Sequence, residues 1–121
     1  VQLCLENMDD KDEKLCNREE EIAETLERFP SLRLTVDLAH LGLRNADIGA
    51  FLDRFEHAAA HVHVSGVIHG TPHSAVSLLE SSIDFSPHIE RLADRNLAFV
   101  IENGSRRALD ESLSVLTKLI R

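Results

Sequence analysis

The chain contains the stretch Leu34-Thr35-Val36-Asp37, a short apolar run of strand character that ends on a residue able to bind a divalent metal ion. Three other runs share these two properties: Leu3-Cys4-Leu5-Glu6, His61-Val62-His63 and Phe99-Val100-Ile101-Glu102. A loop and an amphipathic helical pattern follow each run, and strands that alternate with helices are typical of βαβ units. The sequence therefore predicts an α/β fold with four consecutive parallel βα units.

The spacing of apolar residues predicts the bounds of these units. We expect strands near 1–6, 32–37, 60–64 and 97–102, and helices near 17–29, 46–57, 86–95 and 107–120. The apolar stripes of the helices are predicted to be Ile22, Ala23, Leu26 and Phe29, then Ile48, Phe51, Leu52 and Phe55, then Ile89 and Leu92, and finally Leu109, Leu113, Leu116 and Ile120. Each helix should therefore pack one face on the sheet.

Capping signals mark the ends of two helices. Asn17, with Glu20 three residues later, predicts the N-cap of the first helix, and Pro30 should end that helix. Ser86 followed by Pro87 predicts an N-cap with proline at the first helical position.

Four units are too few to close a (β/α) barrel, which has eight strands and about 250 residues. We expect residues 1–121 to form a single domain whose sheet has two open edges, and such edges invite pairing with another chain. Either the other half of a barrel is missing, or two copies complete each other, or the sheet is open and doubly wound. The third alternative is disfavoured because each helix has one apolar face, which leaves nothing to cover a second sheet face.

Composition restricts the possible partners and compartments. The net charge of −8 argues against a nucleic-acid partner, because phosphate contacts need clustered Lys and Arg. Cys4 and Cys16 have no C-x-x-C partner and are predicted to be free thiols of a reducing compartment. The chain has no apolar run of membrane-spanning length and no basic start of a signal peptide, so we expect a cytoplasmic protein. The start at Val1, without an initiator Met, suggests part of a longer polypeptide.

The ends of the four strands predict a metal site. The carboxyl ends of parallel strands meet at one edge of a sheet, where the catalytic groups of (β/α) barrels lie. That edge should carry two glutamates, one aspartate and one histidine, a set that suits a hard divalent cation.

Five segments together resemble the carboxyl-terminal half of the xylose isomerase-like TIM barrels. They are Leu5-Glu6-Asn7, Thr35-Val36-Asp37-Leu38-Ala39-His40, His61-Val62-His63, Ser82-Ile83-Asp84-Phe85 and Val100-Ile101-Glu102-Asn103. The D-x-x-H of Asp37 and His40 is the most specific element. The superfamily includes sugar phosphate isomerases and epimerases, hydroxypyruvate isomerases, tagatose-type epimerases and endonuclease-IV-type abasic-site nucleases. The resemblance implies a TIM-barrel fold in which the four units correspond to strands five to eight.

The resemblance also implies a reaction and its residues. In the isomerase and epimerase branch one Mn, Mg, Co or Zn ion is bound by four residues, which correspond here to Glu6, Asp37, His63 and Glu102. The ion stabilises the ene-diolate that forms when a C–H proton next to a carbonyl is removed. The two glutamates act as acid and base, so Glu6 and Glu102 are the expected catalytic residues. The implied partner is a sugar or sugar phosphate.

Three further histidines are candidate substrate-binding residues. His40 would hold a substrate hydroxyl or carbonyl oxygen. His69 and His73 lie in the loop after the third strand, where they could bind zinc, contact an anionic substrate or be solvated. This loop has Thr71-Pro72-His73 where the nuclease branch has an Asp-x-His pair, and His69 where several epimerases have an arginine. The isomerase or epimerase is therefore the first function expected, an abasic-site nuclease is the second, and a non-catalytic half barrel is the third.

Overall fold

The computed structural model describes residues 1–11 and 14–120. One parallel sheet contains the strands β1 (Cys4–Glu6), β2 (Arg33–Asp37), β3 (Ala59–Val64) and β4 (Ala98–Ile101) in this order. The helices are α1 (Glu19–Arg28), α2 (Leu38–Leu43), α3 (Ile48–Phe55), α4 (Ser86–Ala93) and α5 (Arg106–Leu119), with 3-10 turns at Glu56–Ala58 and His73–Ala75. The prediction of consecutive parallel βα units is confirmed. None of the helices in the described part of the chain is both long and apolar enough to cross a membrane.

Side chains alternate across the sheet, and this alternation separates the core from the site. Leu34, Val36, Val62 and Val64 are almost fully buried, and with the helix residues Phe51, Leu52, Ile89 and Leu92 they belong to one hydrophobic core. Burial of each such side chain contributes about 1.5 to 3 kcal/mol to stability. Asp37 and His63 are paired in the β2–β3 register and, by strand alternation, point away from this core.

The first helix begins later than its capping signal predicts. α1 begins at Glu19, and Arg18 occupies the N-cap position without a side-chain hydrogen bond. Asn17 instead donates from its side chain to the carbonyl oxygen of Lys11, so the predicted Asn17 cap is wrong. The physical reason is that Glu21 reaches back and accepts a hydrogen bond from the Cys16 N–H at 2.8 Å.

The start of α4 also differs from its prediction by one position. Ser86 is the first helical residue and Phe85 precedes it, so Ser86 is not the N-cap. The Ser86 N–H donates to Asp84 Oδ1 at 2.9 Å, which gives Asp84 the role expected of the serine. Pro87 is therefore the second helical residue, one position later than predicted, and still lies in the first turn.

Two predicted apolar stripes are partly wrong. Phe29 is 51% exposed, because α1 ends at Arg28 and Phe29 lies beyond the helical face. In α5, Leu109 and Leu113 are exposed, whereas Ser112 is fully buried. The hydroxyl of Ser112 accepts from the Leu78 N–H and donates to Asn103 Oδ1, and these polar contacts turn a different face of α5 toward the protein.

The loop after β3 depends on a close backbone approach at Gly66. Its N–H donates to the Val76 carbonyl at 2.8 Å, and a Cβ at Gly66 would lie only 2.0 Å from the Ser77 carbonyl oxygen. This contact holds the loop that carries His73 against the sheet.

We expect Gly66→Ala to lower the free energy of unfolding by about 1 to 3 kcal/mol, because the backbone must move to admit the methyl group. Urea denaturation would measure the loss. Gly104→Ala is the matched control, since the nearest atom to its Cβ would be 3.9 Å away. Equal unfolding midpoints for the two variants would contradict the prediction.

Candidate metal centre

The structure brings the four predicted metal ligands together. Glu6 and Asp37 are the last residues of β1 and β2, His63 lies one residue before the end of β3, and Glu102 directly follows β4. Their ligand atoms all lie within 4.8 Å of one another. The parallel register explains this arrangement, because all four strand ends meet at one edge of the sheet.

His63 lies between the two glutamates. Its Nδ1 is 3.3 Å from Glu6 Oε1 and 3.1 Å from Glu102 Oε1. These contacts are close enough for attraction, but neither is aligned for a hydrogen bond, so the buried Nδ1 has no hydrogen-bond partner among the described residues. A buried nitrogen that faces two carboxylate oxygens in this way is suited to share a cation with them.

Asp37 is the buried member of the cluster, with a side chain only 1% exposed. Burial raises the pKa of its carboxyl group to about 8, and the negative charges of Glu6 and Glu102 add to this rise. Asp37 Oδ1 accepts a hydrogen bond from the His40 N–H at 2.8 Å, which opposes the shift and caps α2. Without a cation, Asp37 therefore holds a proton at neutral pH.

The pKa shifts of the partly exposed Glu6 and His63 favour their charged forms, whereas the shift of Asp37 favours its neutral form. Contact with His63 lowers the pKa of Glu6, and partial burial opposes this effect. The same contact with Glu6, together with the charge of Glu102, raises the pKa of His63 against its own desolvation. Contact between the imidazole and Glu6 thus favours the charged form of both groups.

The donor set fits a divalent cation. Three carboxylates converge on one imidazole, and within residues 1–11 and 14–120 histidines are the only basic side chains at ion-pair distance from them. Carboxylate oxygens with one imidazole nitrogen are suited to Mn, Mg, Co or Zn. A divalent ion would replace the proton on Asp37 and supply the positive charge that the cluster lacks.

His40 lies beside this cluster and is only 6% exposed. Its Nδ1 is 2.9 Å from the Asn7 carbonyl oxygen, 3.4 Å from Asp37 Oδ2 and 3.6 Å from Glu6 Oε1. The Asn7 carbonyl oxygen, the nearest of the three, can only accept a hydrogen bond, so Nδ1 carries a proton. The predicted role of His40 in substrate binding would then fall to its Nε2.

The two loop histidines differ in their surroundings. The His73 ring packs edge-on against the His40 ring with centroids 5.1 Å apart, and its Nδ1 lies 2.9 Å from Ser65 Oγ. Burial lowers the pKa of His73, and repulsion from His40 lowers it further. His69 is exposed and, with His73, lines a cleft of about 680 Å³ that also contains Lys14. Substrate contact by either histidine stays a prediction.

Sequence reasoning missed two asparagines next to the site. Asn7 and Asn103 each follow a candidate ligand, so the dipeptide Glu-Asn occurs at the ends of both β1 and β4. Asn7 binds the backbone of Asp37, and Asn103 binds the carbonyl oxygen of Val76 in the loop after β3. The repeated Glu-Asn dipeptide is the sequence signal that could have pointed to both asparagines.

Two solved structures share the fold of this chain. One is described as the probable 3-DHS dehydratase AsbF, involved in petrobactin synthesis, from Bacillus anthracis; it superposes with a TM-score of 0.78 and 18% identity, over 97% of this chain and 49% of that chain. The other is an L-ribulose 3-epimerase, with a TM-score of 0.69 and 22% identity, over 100% of this chain and 40% of that chain. This chain thus spans less than half the length of either structure.

Comparison at the level of families agrees with the fold. No curated protein matches the sequence. The family described as xylose isomerase-like TIM barrel matches residues 1–119, nearly the whole sequence. The prediction of a half barrel in an α/β fold of the TIM type is therefore confirmed. The chain belongs to the xylose isomerase-like TIM barrel family.

Proposed function

We propose that this chain supplies the metal-binding and acid–base groups of a divalent-metal-dependent isomerase or epimerase of sugars or sugar phosphates. The supporting observation is the convergence of Glu6, Asp37, His63 and Glu102 within 4.8 Å at the carboxyl edge of a parallel sheet. A second support is that one solved structure with this fold is described as an epimerase.

Exposure divides the roles among the carboxylates. Asp37 is 1% exposed and can reach only other protein groups or a bound ion, whereas the side chains of Glu6 and Glu102 are 31% and 36% exposed. A general base must reach the proton that it removes. We therefore assign Asp37 to metal binding alone, and Glu6 and Glu102 to both metal binding and proton transfer.

A bound divalent ion would polarise a substrate carbonyl and stabilise the negative charge that develops on the substrate oxygen. Proton transfer and the binding of substrate oxygens are assigned to protein side chains. Glu6 and Glu102 are two separate carboxylates that both contact the His63 nitrogen, so one can accept a C–H proton while the other delivers a proton. We assign the holding of substrate oxygens to His40 and His73, whose rings are in contact.

The proposal includes a partner for the open sheet. Because the chain spans 49% and 40% of the two solved structures, the remaining pocket walls would come from another half barrel or from a second copy. The cytoplasmic location and the single-domain organisation of residues 1–121 stay predictions.

Isotope exchange tests the proposed reaction directly. With the missing half supplied, by its own amino-terminal segment or by a second copy, the protein should be incubated with Mn²⁺ and a panel of aldoses, ketoses and their phosphates in deuterated water. We expect at least one substrate to lose a C–H proton signal next to its carbonyl, because deuterium replaces the proton that the carboxylate removes. Proton NMR would follow the loss, and excess chelator should stop it.

Other outcomes would favour other functions. Elimination of water from a carbonyl compound also begins with proton removal, so loss of the signal together with a dehydrated product would indicate a dehydratase. Cleavage of abasic DNA without sugar exchange would favour the nuclease alternative. Metal binding with neither activity would support a non-catalytic half barrel.

A further inference from the structure

Asn7 is the most completely buried polar side chain next to the candidate metal centre, with 0% exposure. Its side-chain amide makes two hydrogen bonds to a single residue. The Nδ2 group donates to the Asp37 carbonyl oxygen at 3.0 Å, and the Asp37 N–H donates to Asn7 Oδ1 at 2.8 Å. The amide therefore satisfies both backbone groups of the buried metal-ligand candidate.

The Asn7 side chain provides the hydrogen bonds that strand β1 would provide if the strand continued. The β1–β2 register finishes with Glu6 opposite Thr35, so β1 provides no further strand residue for the backbone of Asp37. The Asn7 side chain acts in place of a peptide group and extends the ladder by one step. Buried backbone groups need such partners, because each one left unsatisfied is costly.

The backbone of Asn7 has a second contact at the same site. Its carbonyl oxygen accepts a hydrogen bond from His40 Nδ1–H at 2.9 Å, which places a proton on Nδ1, and in the neutral imidazole Nε2 is then bare. A bare Nε2 can accept a hydrogen bond from a substrate hydroxyl. Asn7 is therefore joined to three site residues: to Glu6 through the chain, to Asp37 through its amide and to His40 through its carbonyl.

We propose that Asn7 is a positioning residue that fixes the backbone of Asp37 for metal binding and holds His40 as the Nδ1–H tautomer. This inference rests on the proposed function, because it takes Asp37 as a metal ligand. Groups that orient ligands in this way typically contribute about 10- to 100-fold to metal affinity.

The metal-free protein provides the first test. Nitrogen-15 NMR of wild-type protein should show His40 as the Nδ1–H tautomer. In Asn7→Ala, hydrogen exchange of the Asp37 amide should accelerate more than that of the Val36 amide, because only the Asp37 amide loses its acceptor. An Nε2–H tautomer in the wild type, or equal acceleration at both amides, would overturn the proposal. The tautomer measurement needs no variant and decides the matter even if Asn7→Ala does not fold.

Metal affinity provides the second test. Calorimetric titration with Mn²⁺ should show an affinity about 10- to 100-fold lower for Asn7→Ala than for the wild type. Asn17→Ala is the matched control, since Asn17 is also buried but, among the described residues, its side chain binds the Lys11 carbonyl oxygen and none of the four candidate ligands. Equal affinity of Asn7→Ala and Asn17→Ala would overturn the positioning role. If wild-type protein bound no Mn²⁺, the proposed function would fail, while the NMR and exchange measurements would still decide whether Asn7 positions Asp37 and His40.

Discussion

Glu102→Gln is expected to lower proton exchange between substrate and solvent by about 100- to 10,000-fold, the usual contribution of a general acid–base group. Glutamine retains a carbonyl oxygen that can face the metal, but its amide cannot accept a proton. Metal affinity should therefore fall less than it falls in Asp37→Ala, which removes the buried ligand altogether. Exchange rates in deuterated water and calorimetric Mn²⁺ titrations would measure the two effects on the same samples.

The loss of proton exchange and the loss of metal affinity, compared in the same variant, distinguish a general base from a metal ligand. Glu90→Gln is a suitable control, because Glu90 is exposed on α4 and takes no part in the cluster. Exchange that survives in Glu102→Gln would remove Glu102 from the catalytic role and leave Glu6 as the candidate. Equal loss of metal affinity in Glu102→Gln and Asp37→Ala would contradict the prediction, because the loss of exchange could then be due to loss of the metal.

Strand periodicity and strand-end chemistry predicted most of the fold and the centre of the site. The carboxyl ends of parallel strands must meet, so a ligand at the end of each strand implied convergence before any distance was known. The distances between Glu6, Asp37, His63 and Glu102 agree with that argument. Whether these residues bind a metal stays a prediction, which the titrations above would test.

The errors arose where a polar side chain binds a backbone group that the sequence pattern had assigned to another residue or to none. Glu21 binds the Cys16 N–H and Asp84 binds the Ser86 N–H, and in both places a capping pattern assigned the role to another residue. Ser112 is buried by its bonds to Leu78 and Asn103, which apolar periodicity cannot detect. The short helix α2 was missed for a similar reason, since it begins through the bond between Asp37 and the His40 N–H.

Asp37→Asn is expected to change how stability depends on pH. The carboxyl group of Asp37 has a pKa of about 8 in the folded protein, against an ordinary value of 3.8. Between these two pH values the folded state holds a proton that the unfolded state has lost, so the free energy of unfolding falls as pH rises. One such group contributes a slope of about 1.4 kcal/mol per pH unit, or about 2 to 3 kcal/mol between pH 5 and pH 7.

Asparagine removes this slope and keeps the cap of α2, because its carbonyl oxygen can still accept the His40 N–H. Metal-free Asp37→Asn should therefore lose less stability than the wild type between pH 5 and pH 7, as measured by urea denaturation in the presence of chelator. Asp47→Asn is the matched control. Asp47 caps α3 through the same bond geometry, with its Oδ1 accepting from the Ala50 N–H at 3.0 Å, but it is exposed.

Metal should reverse the effect in proteins that retain Asp37. A divalent ion competes with the proton on Asp37, so Mn²⁺ should raise the unfolding midpoint of the wild type, and more strongly at pH 7 than at pH 5. Asp37→Asn should show little of this shift, whereas Asp47→Asn should show all of it. If Asp37→Asn retained the full shift, the negative charge of Asp37 would not be needed to bind the ion, and the charges of Glu6 and Glu102 would have to suffice.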